Sequence, residues 1–343
     1  MRAPSASRFI IGPLADSVLL IGAPLLALGL GVAVSGTDFA VEPSGLARGG
    51  SLLTLLTSIF VSAHLFIVVF RSHANPTIFR LHPLRFTVVP CLLFLAMCTS
   101  RWVAVSVSVL ATWWDVYHSS MQTFGLGRIY DMKRGNDAQA GRTLDAWLNV
   151  LLYAGPILGG ATLMDHVSDF DEFEEVGSVF FTAIPAYAES HTSYLTWGVL
   201  ALGAVVLIAY VVGYWRLARQ GYRVSTAKVV LLVSTAACSI VTWGFNPFGV
   251  AFFVMNFFHA LQYFALVWFT EKQHLTARLG LATVPWGRPL TLALFLIAGF
   301  GYGCWAELFA NRVHVTMNLT MVIAIMHFWY DGFIWSVRKK QLA

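Results

Sequence analysis

Charged residues are scarce in this chain. Asp, Glu, Lys and Arg make up 11% of its 343 residues, against about 25% in soluble domains. Apolar types reach 57% and the mean hydropathy is +0.69, which excludes a water-soluble fold. Cysteine is sparse too. Cys91, Cys98, Cys238 and Cys304 all fall in apolar stretches without CxxC spacing, which excludes a disulfide framework and an iron–sulfur site and reads as small buried apolar residues. No basic tract or face is present. The net charge of +5 comes from Lys and Arg beside helix ends, so nucleic acid is excluded as a partner. Internal repeats, low-complexity segments and long linkers are absent as well.

What fills the chain is a succession of apolar stretches of about 20 residues, the length a helix needs to cross a hydrocarbon core roughly 30 Å thick. Hydropathy and loop charge give about ten spans, near 9–34, 50–70, 84–99, 102–127, 146–164, 193–215, 227–245, 248–270, 289–308 and 315–337. The expected fold is all-α: a polytopic integral membrane helical bundle forming a single transmembrane domain over 1–343, with membrane lipids around it. Arg2 and Arg8 precede a first apolar run longer than a signal peptide's, so it reads as a retained span. Between the third and fourth spans, Arg101 is the single polar break.

Loop charge alternates along the chain. Arg71, Arg80 and Arg85 lie in one loop, Arg128, Lys133, Arg134 and Arg142 in another, then Arg216, Arg219, Arg223 and Lys228, then Lys272, Arg278 and Arg288, and finally Arg338, Lys339 and Lys340. The intervening loops are poor in cations, and the longest carries Asp165, Asp169, Asp171, Glu172, Glu174 and Glu175. The positive-inside rule then predicts cytoplasmic termini, in a bacterial inner membrane.

Counting about 1.5 Å of rise per residue from the cationic ends places His64, His118, His259 and His327 roughly 10–20 Å inside the cytoplasmic edge. All four lie on even-numbered spans running the same way, so their side chains can converge. Polar residues follow one turn later on the same face: Gln122 after His118, Tyr263 after His259, and Asp331 after His327. Asp115 and Asn256 lie one turn before, Gln262 lies close by, and Asp16 falls in the same half of the first span. Ionisable groups in hydrocarbon cost about 2.5–3.5 kcal/mol each, so such a layer faces inward.

Neutral imidazole is the commonest metal ligand, and its second nitrogen is oriented by a carboxylate, amide or carbonyl. His64, His118, His259 and His327 are therefore expected to hold metal, with Asp331, Gln122, Asp115 and Asp16 as outer partners and Tyr263 as a weak ligand or donor. Non-haem Fe is the preferred metal; Zn or haem are the alternatives. A lone intramembrane histidine is more often a helix-to-helix hydrogen bond, and the common depth is what counts against that reading here. His73 and His82 read as interfacial; His166, His191, His274 and His314 as solvated; Trp113, Trp114, Trp268, Trp329 and Trp335 as packing aromatics; the acidic run as a solvated loop.

The stretch FFHALQYFALVW (257–268) is similar to a segment of the bacterial Brp/Blh family, membrane iron enzymes that split β-carotene into retinal. MHFWYDGFIWSVR (326–338) resembles that family's last helix, with histidine, three residues, aspartate and a basic end. YHSSMQTFG (117–125) resembles its His-Phe-Gly helix more loosely. The resemblance implies His259 and His118 as iron ligands, and His64 in the place of the first ligand, although AHLFIVV stands where the family has His-Gly-Ala-Leu-Asp. Tyr263 occupies the position of a second histidine, and His327 is the residue available in its stead.

Two functions from different classes follow. One is a non-haem iron oxygenase, a dioxygenase-like oxidoreductase acting on a hydrophobic lipid or isoprenoid, carotenoid-like substrate. The other is a proton-coupled transporter with Asp16, Asp115, Asp331 and the histidines as a relay; a haem protein with two axial histidines is a third.

Overall fold

The structure is a computed structural model that describes residues 8–40, 51–309 and 313–335. Arg2, Arg338, Lys339 and Lys340, part of the charge argument for the termini, lie outside these residues. Among the described residues the fold is all-helical, with no strand.

Each expected span corresponds to helix. A short Pro13–Ala15 turn and a π-helical Asp16–Ile21 lead into α1 (Ala23–Val34), followed by α2 (Leu52–Phe66), α3 (Pro83–Thr99), α4 (Arg101–Lys133), α5 (Arg142–Leu158), α6 (Thr192–Arg219), α7 (Thr226–Ser239), α8 (Ala251–Arg278), α9 (Gly287–Phe309) and α10 (His314–Ile334). Five of these elements are long and apolar enough to cross a membrane, or seven if two bent pairs each count as one span. The bent pairs are Pro13–Ile21 with α1, at 55°, and α5 with Leu163–Val176, at 100°.

Three of the helices start on a serine whose side chain accepts an orphan backbone N–H group. Ser51 caps α2, Ser100 caps α4 and Ser225 caps α7. Ser100 is extended at φ −135, which separates α3 from α4 beside Arg101. In the π-helical segment, side chains from other helices take up carbonyls: Gln262 Nε2 donates to the Leu20 carbonyl at 2.7 Å and Ser234 to that of Ile21 at 3.0 Å.

The bundle is organised around α8, which packs on α1, α2 and α9, while α10 packs on α2, α3 and α4. Gly303 lets α9 close on α2, since a Cβ there would sit 2.3 Å from the Ile59 carbonyl oxygen. At the other extreme, α6 has no buried residue; it rests mainly on α5 and meets α7 where Lys228 donates to the Tyr214 hydroxyl at 2.6 Å.

Two expectations are corrected by packing, and two of the loop cations prove to be buried. The acidic run is not a free loop: Leu163–Val167 and the 3-10 segment Ser168–Val176 fold back onto α4, where Thr112 donates to Asp169, Ser108 to Glu172 at 3.3 Å, and Arg101 to Glu175 at 2.8 Å. Loop cations are not all solvated. Arg128 and Lys228 are buried with Asp131 and Asp145 in a network of two positive and two negative charges, with Arg128 to Asp145 at 2.5 Å and Lys228 to Asp131 at 2.8 Å. Of the cysteines, only Cys238 is buried; Cys91, Cys98 and Cys304 lie on the exposed apolar surface.

Candidate metal centre

The four histidines meet. His64 comes from α2, His118 from α4, His259 from α8 and His327 from α10, and none is more than 4% exposed. Their ring centres close a quadrilateral: His64 to His259 5.1 Å, His259 to His118 5.0 Å, His118 to His327 4.7 Å, and His327 to His64 5.1 Å. The rings meet edge-on, at 69–90°.

His327 has a defined tautomer. Its Nδ1 lies 3.1 Å from the Leu65 carbonyl, which can only accept, so Nδ1 carries the proton and Nε2 presents a lone pair. That lone pair lies 3.1 Å from His118 Nε2. Two nitrogens sharing one metal at about 2.0–2.1 Å would stand at about this separation. One nitrogen from each of His64, His259 and His327 also falls within 4.8 Å of the others.

His64 and His259 differ from the other pair in one respect. Neither nitrogen of either ring has a hydrogen-bond partner, and all four atoms are buried. The Val61 carbonyl lies near His64 but outside hydrogen-bond geometry. A buried polar atom left unpaired costs about 1–3 kcal/mol, and native structures carry few of them. One nitrogen from each of these rings, beside the close Nε2 pair of His118 and His327, fits a ligand held in common, and imidazole nitrogens with a carboxylate suit a metal cation.

Asp331 provides that carboxylate, though not in the role the helix spacing suggests. His327 Nδ1 is already held by Leu65, so Asp331 does not orient that ring from behind. Instead Asp331 Oδ1 accepts from the Tyr263 hydroxyl at 2.8 Å and the Trp335 indole at 2.9 Å. Its Oδ2 is left 3.8 Å from His118 Nε2 and 3.9 Å from His327 Nε2, on the side the lone pairs face. His118, His327 and Asp331 form a second close set of potential ligands, with His327 shared between the two.

The other expected residues lie elsewhere. Gln122 does not reach an imidazole; its Nε2 donates to the His259 carbonyl and to Gln262 Oε1, both at 3.0 Å, and so braces α8 beside the site. Asp16 is remote from the histidines: it accepts the N–H groups of Ile10, Ile11 and Gly12 and the Tyr130 hydroxyl, which makes it an anchor for the bent first segment. Asp115 faces a cavity that His64 also lines. Tyr263 is committed to Asp331 rather than to the cluster. His73 is tied by Ser72 and the Phe86 carbonyl. His166, expected in solvent, is 8% exposed and packs on Trp243.

Two cavities reach the cluster. One of about 630 Å³ runs from His64 past Asp115 to Asp165, His166 and Asp169. A second, of about 430 Å³, touches His118, Asp331 and Tyr263 and is walled by Trp114, Phe328, Phe333 and Trp335, with Arg128 and Arg142 also in its lining.

One contributor was not foreshadowed by intramembrane polarity. Arg71, from the helix Val68–Ser72 that follows α2, pairs with Glu271, donates to the Ile334 carbonyl, and stacks on Trp335. It thereby supports the residue that holds Asp331. Compared with known proteins, the chain matches no family model, no curated protein and no solved structure.

Proposed function

We propose that this protein is a membrane-embedded non-haem iron oxygenase acting on a hydrophobic lipid or isoprenoid, carotenoid-like molecule, distantly related to the Brp/Blh enzymes. The observation that carries the proposal is that His64 and His259, buried with no hydrogen-bond partner on either ring, each bring a nitrogen within 4.8 Å of one on His327, whose Nε2 lies 3.1 Å from that of His118. Two histidines with one carboxylate are a donor set that suits Fe(II), and His118, His327 and Asp331 make such a set beside His64 and His259. In this reading ten helices cross a bacterial inner membrane, with both termini cytoplasmic.

Iron, when bound, supplies activation of dioxygen. The chain's own residues do the rest. His64, His118, His259, His327 and Asp331 would hold the ion, and Leu65 fixes the His327 tautomer. Tyr263 and Trp335 hold Asp331 Oδ1, which keeps Oδ2 turned towards the imidazoles. The aromatic walls beside His118 and Asp331 bind an apolar substrate and exclude water from it.

Metal analysis of detergent-purified protein, with its visible spectrum, tests this reading. Wild type should carry about one iron that is lost from His64→Ala and His259→Ala while His274→Ala retains it. A Soret band would replace the proposal with a haem protein, and metal-free wild type under iron-replete growth would overturn both.

A transporter is the second reading, favoured by the two bent helix pairs and by cavities on both sides of one polar layer. Proton-driven uptake that persists without metal and vanishes in Asp331→Asn would select it.

A further inference from the structure

Four imidazoles buried in close-packed surroundings cannot exchange a hydrated ion through their packing; a buried metal site needs an approach. The two cavities that touch the cluster differ in charge. The one at His118 and Asp331 has Arg128 and Arg142 in its wall. Arg142 is exposed and has no carboxylate partner among the described residues, and its field opposes a cation.

The other cavity has no Lys or Arg in its lining. His64 stands at its deep end, 1% exposed with both nitrogens unpartnered. Asp115 and Asp169 follow, half-buried, and Asp165 is exposed at the far side, so solvent access rises step by step away from the histidines. Asp115 makes no hydrogen bond or ion pair among the described residues. His166 is tied through Nδ1 to the Thr162 carbonyl at 2.8 Å, which leaves Nε2 available to the cavity. Arg101, the nearby cation of this face, is neutralised by Glu175.

We propose that this cavity is the route by which a divalent cation reaches the histidines, from the face carrying Leu163–Val176, with Asp115 as the last carboxylate before His64. The inference rests on the metal reading above and adds the direction and chemistry of loading. Carboxylates between low-dielectric walls focus the field and raise local cation concentration, which accelerates capture by a factor of about 10–10³. None of the three belongs to the ligand set, so they set the rate of loading and not its extent.

Metal-stripped full-length protein in detergent, mixed with Co²⁺ and followed by the visible absorption of the bound ion, separates the two quantities. Asp115→Asn should load about 10-fold more slowly than wild type, and Asp115→Asn with Asp165→Asn and Asp169→Asn more slowly still. Both should reach the wild-type end point, and the salt dependence of the wild-type rate should flatten in the triple variant. Arg142→Gln should leave the rate unchanged. In a cysteine-free background, Ala111→Cys blocked with neutral N-ethylmaleimide should load slowly, and unblocked should load normally. Wild-type rates in the triple variant, or in the blocked Ala111→Cys protein, would overturn the route and leave the site standing. Wild-type protein that takes up no Co²⁺ at equilibrium would instead overturn the metal reading itself.

Discussion

The guanidinium carbon of Arg71 lies 4.0 Å from the centre of the Trp335 ring. Trp335 in turn donates to Asp331 Oδ1. A cation fixed by Glu271 therefore steadies an indole, the indole steadies a carboxylate oxygen, and the other oxygen is left for the histidines. The chain of contacts links the helix Val68–Ser72 and α8 to the end of α10.

Asp331 should lose orientation when either donor is removed. Tyr263→Phe and Trp335→Phe each delete one hydrogen bond to Oδ1, and loss of such a partner typically costs about 10–100-fold in metal affinity. Competition against a chromophoric chelator should show about a 10-fold weaker site in each variant, and weaker again in the double variant. If both bind as tightly as wild type, Asp331 is not a ligand.

His259 and His64 should be costly to the metal-free fold. Replacing either with Leu removes a buried polar ring without a partner and keeps an apolar side chain of similar size, a change that is neutral or stabilising by about 1–3 kcal/mol. Thermal unfolding of stripped His259→Leu should therefore match or exceed stripped wild type, while the metal-induced rise seen in wild type disappears. A clear loss of stability in the stripped variant would mean that the ring has a structural partner.

Lys228 should behave in the opposite way. It lies between Asp131 and Asp145, at 2.8 and 2.7 Å, with Arg128 on the same two carboxylates. Breaking a buried pair on one side leaves an uncompensated charge and costs about 3–5 kcal/mol. Lys228→Met should destabilise by that order, and adding Asp145→Asn should recover part of it; strictly additive losses in equilibrium unfolding would deny the coupling.

Topology can be read from two exposed positions on either side of α6. This helix is 28 residues long, about 42 Å at 1.5 Å per residue, which is enough to cross the membrane. Cysteines replacing Ser168 and Gln220 in a cysteine-free background should react with an impermeant maleimide from opposite faces, Ser168 from outside. Labelling of both from one side would remove α6 from the spans and invalidate the ten-helix arrangement.

The convergence of His64, His118, His259 and His327 was legible in the sequence because depth in a helix is a count of residues from a charged end. Each histidine sits on its own helix, so common depth implied a common layer. Which way Asp331 turns was not legible, since spacing of four residues gives a shared face but not the competitor for each ring nitrogen. The Leu65 carbonyl, on another helix, decided it. Asp16 was misjudged for a related reason: depth brought it into the layer, but three backbone N–H groups at 10–12 claimed its carboxylate. Nor could hydropathy recognise Arg128 and Lys228 as buried, because their partners Asp131 and Asp145 are distributed over α4 and α5 and only packing assembles them.

That assembly bears on how the chain enters a membrane. Arg128 and Asp131 belong to α4, Asp145 to α5 and Lys228 to α7. Neutrality is reached only when all three helices present these ends on the same face. Were α5 inverted, Asp145 would be carried to the far face, and two cations would be left against one carboxylate in a buried position. If these three helices cross a membrane, the network would act as a proofreading mark for their insertion: cations that bias the orientation of α4, α5 and α7 would later penalise whichever of the three was threaded the wrong way.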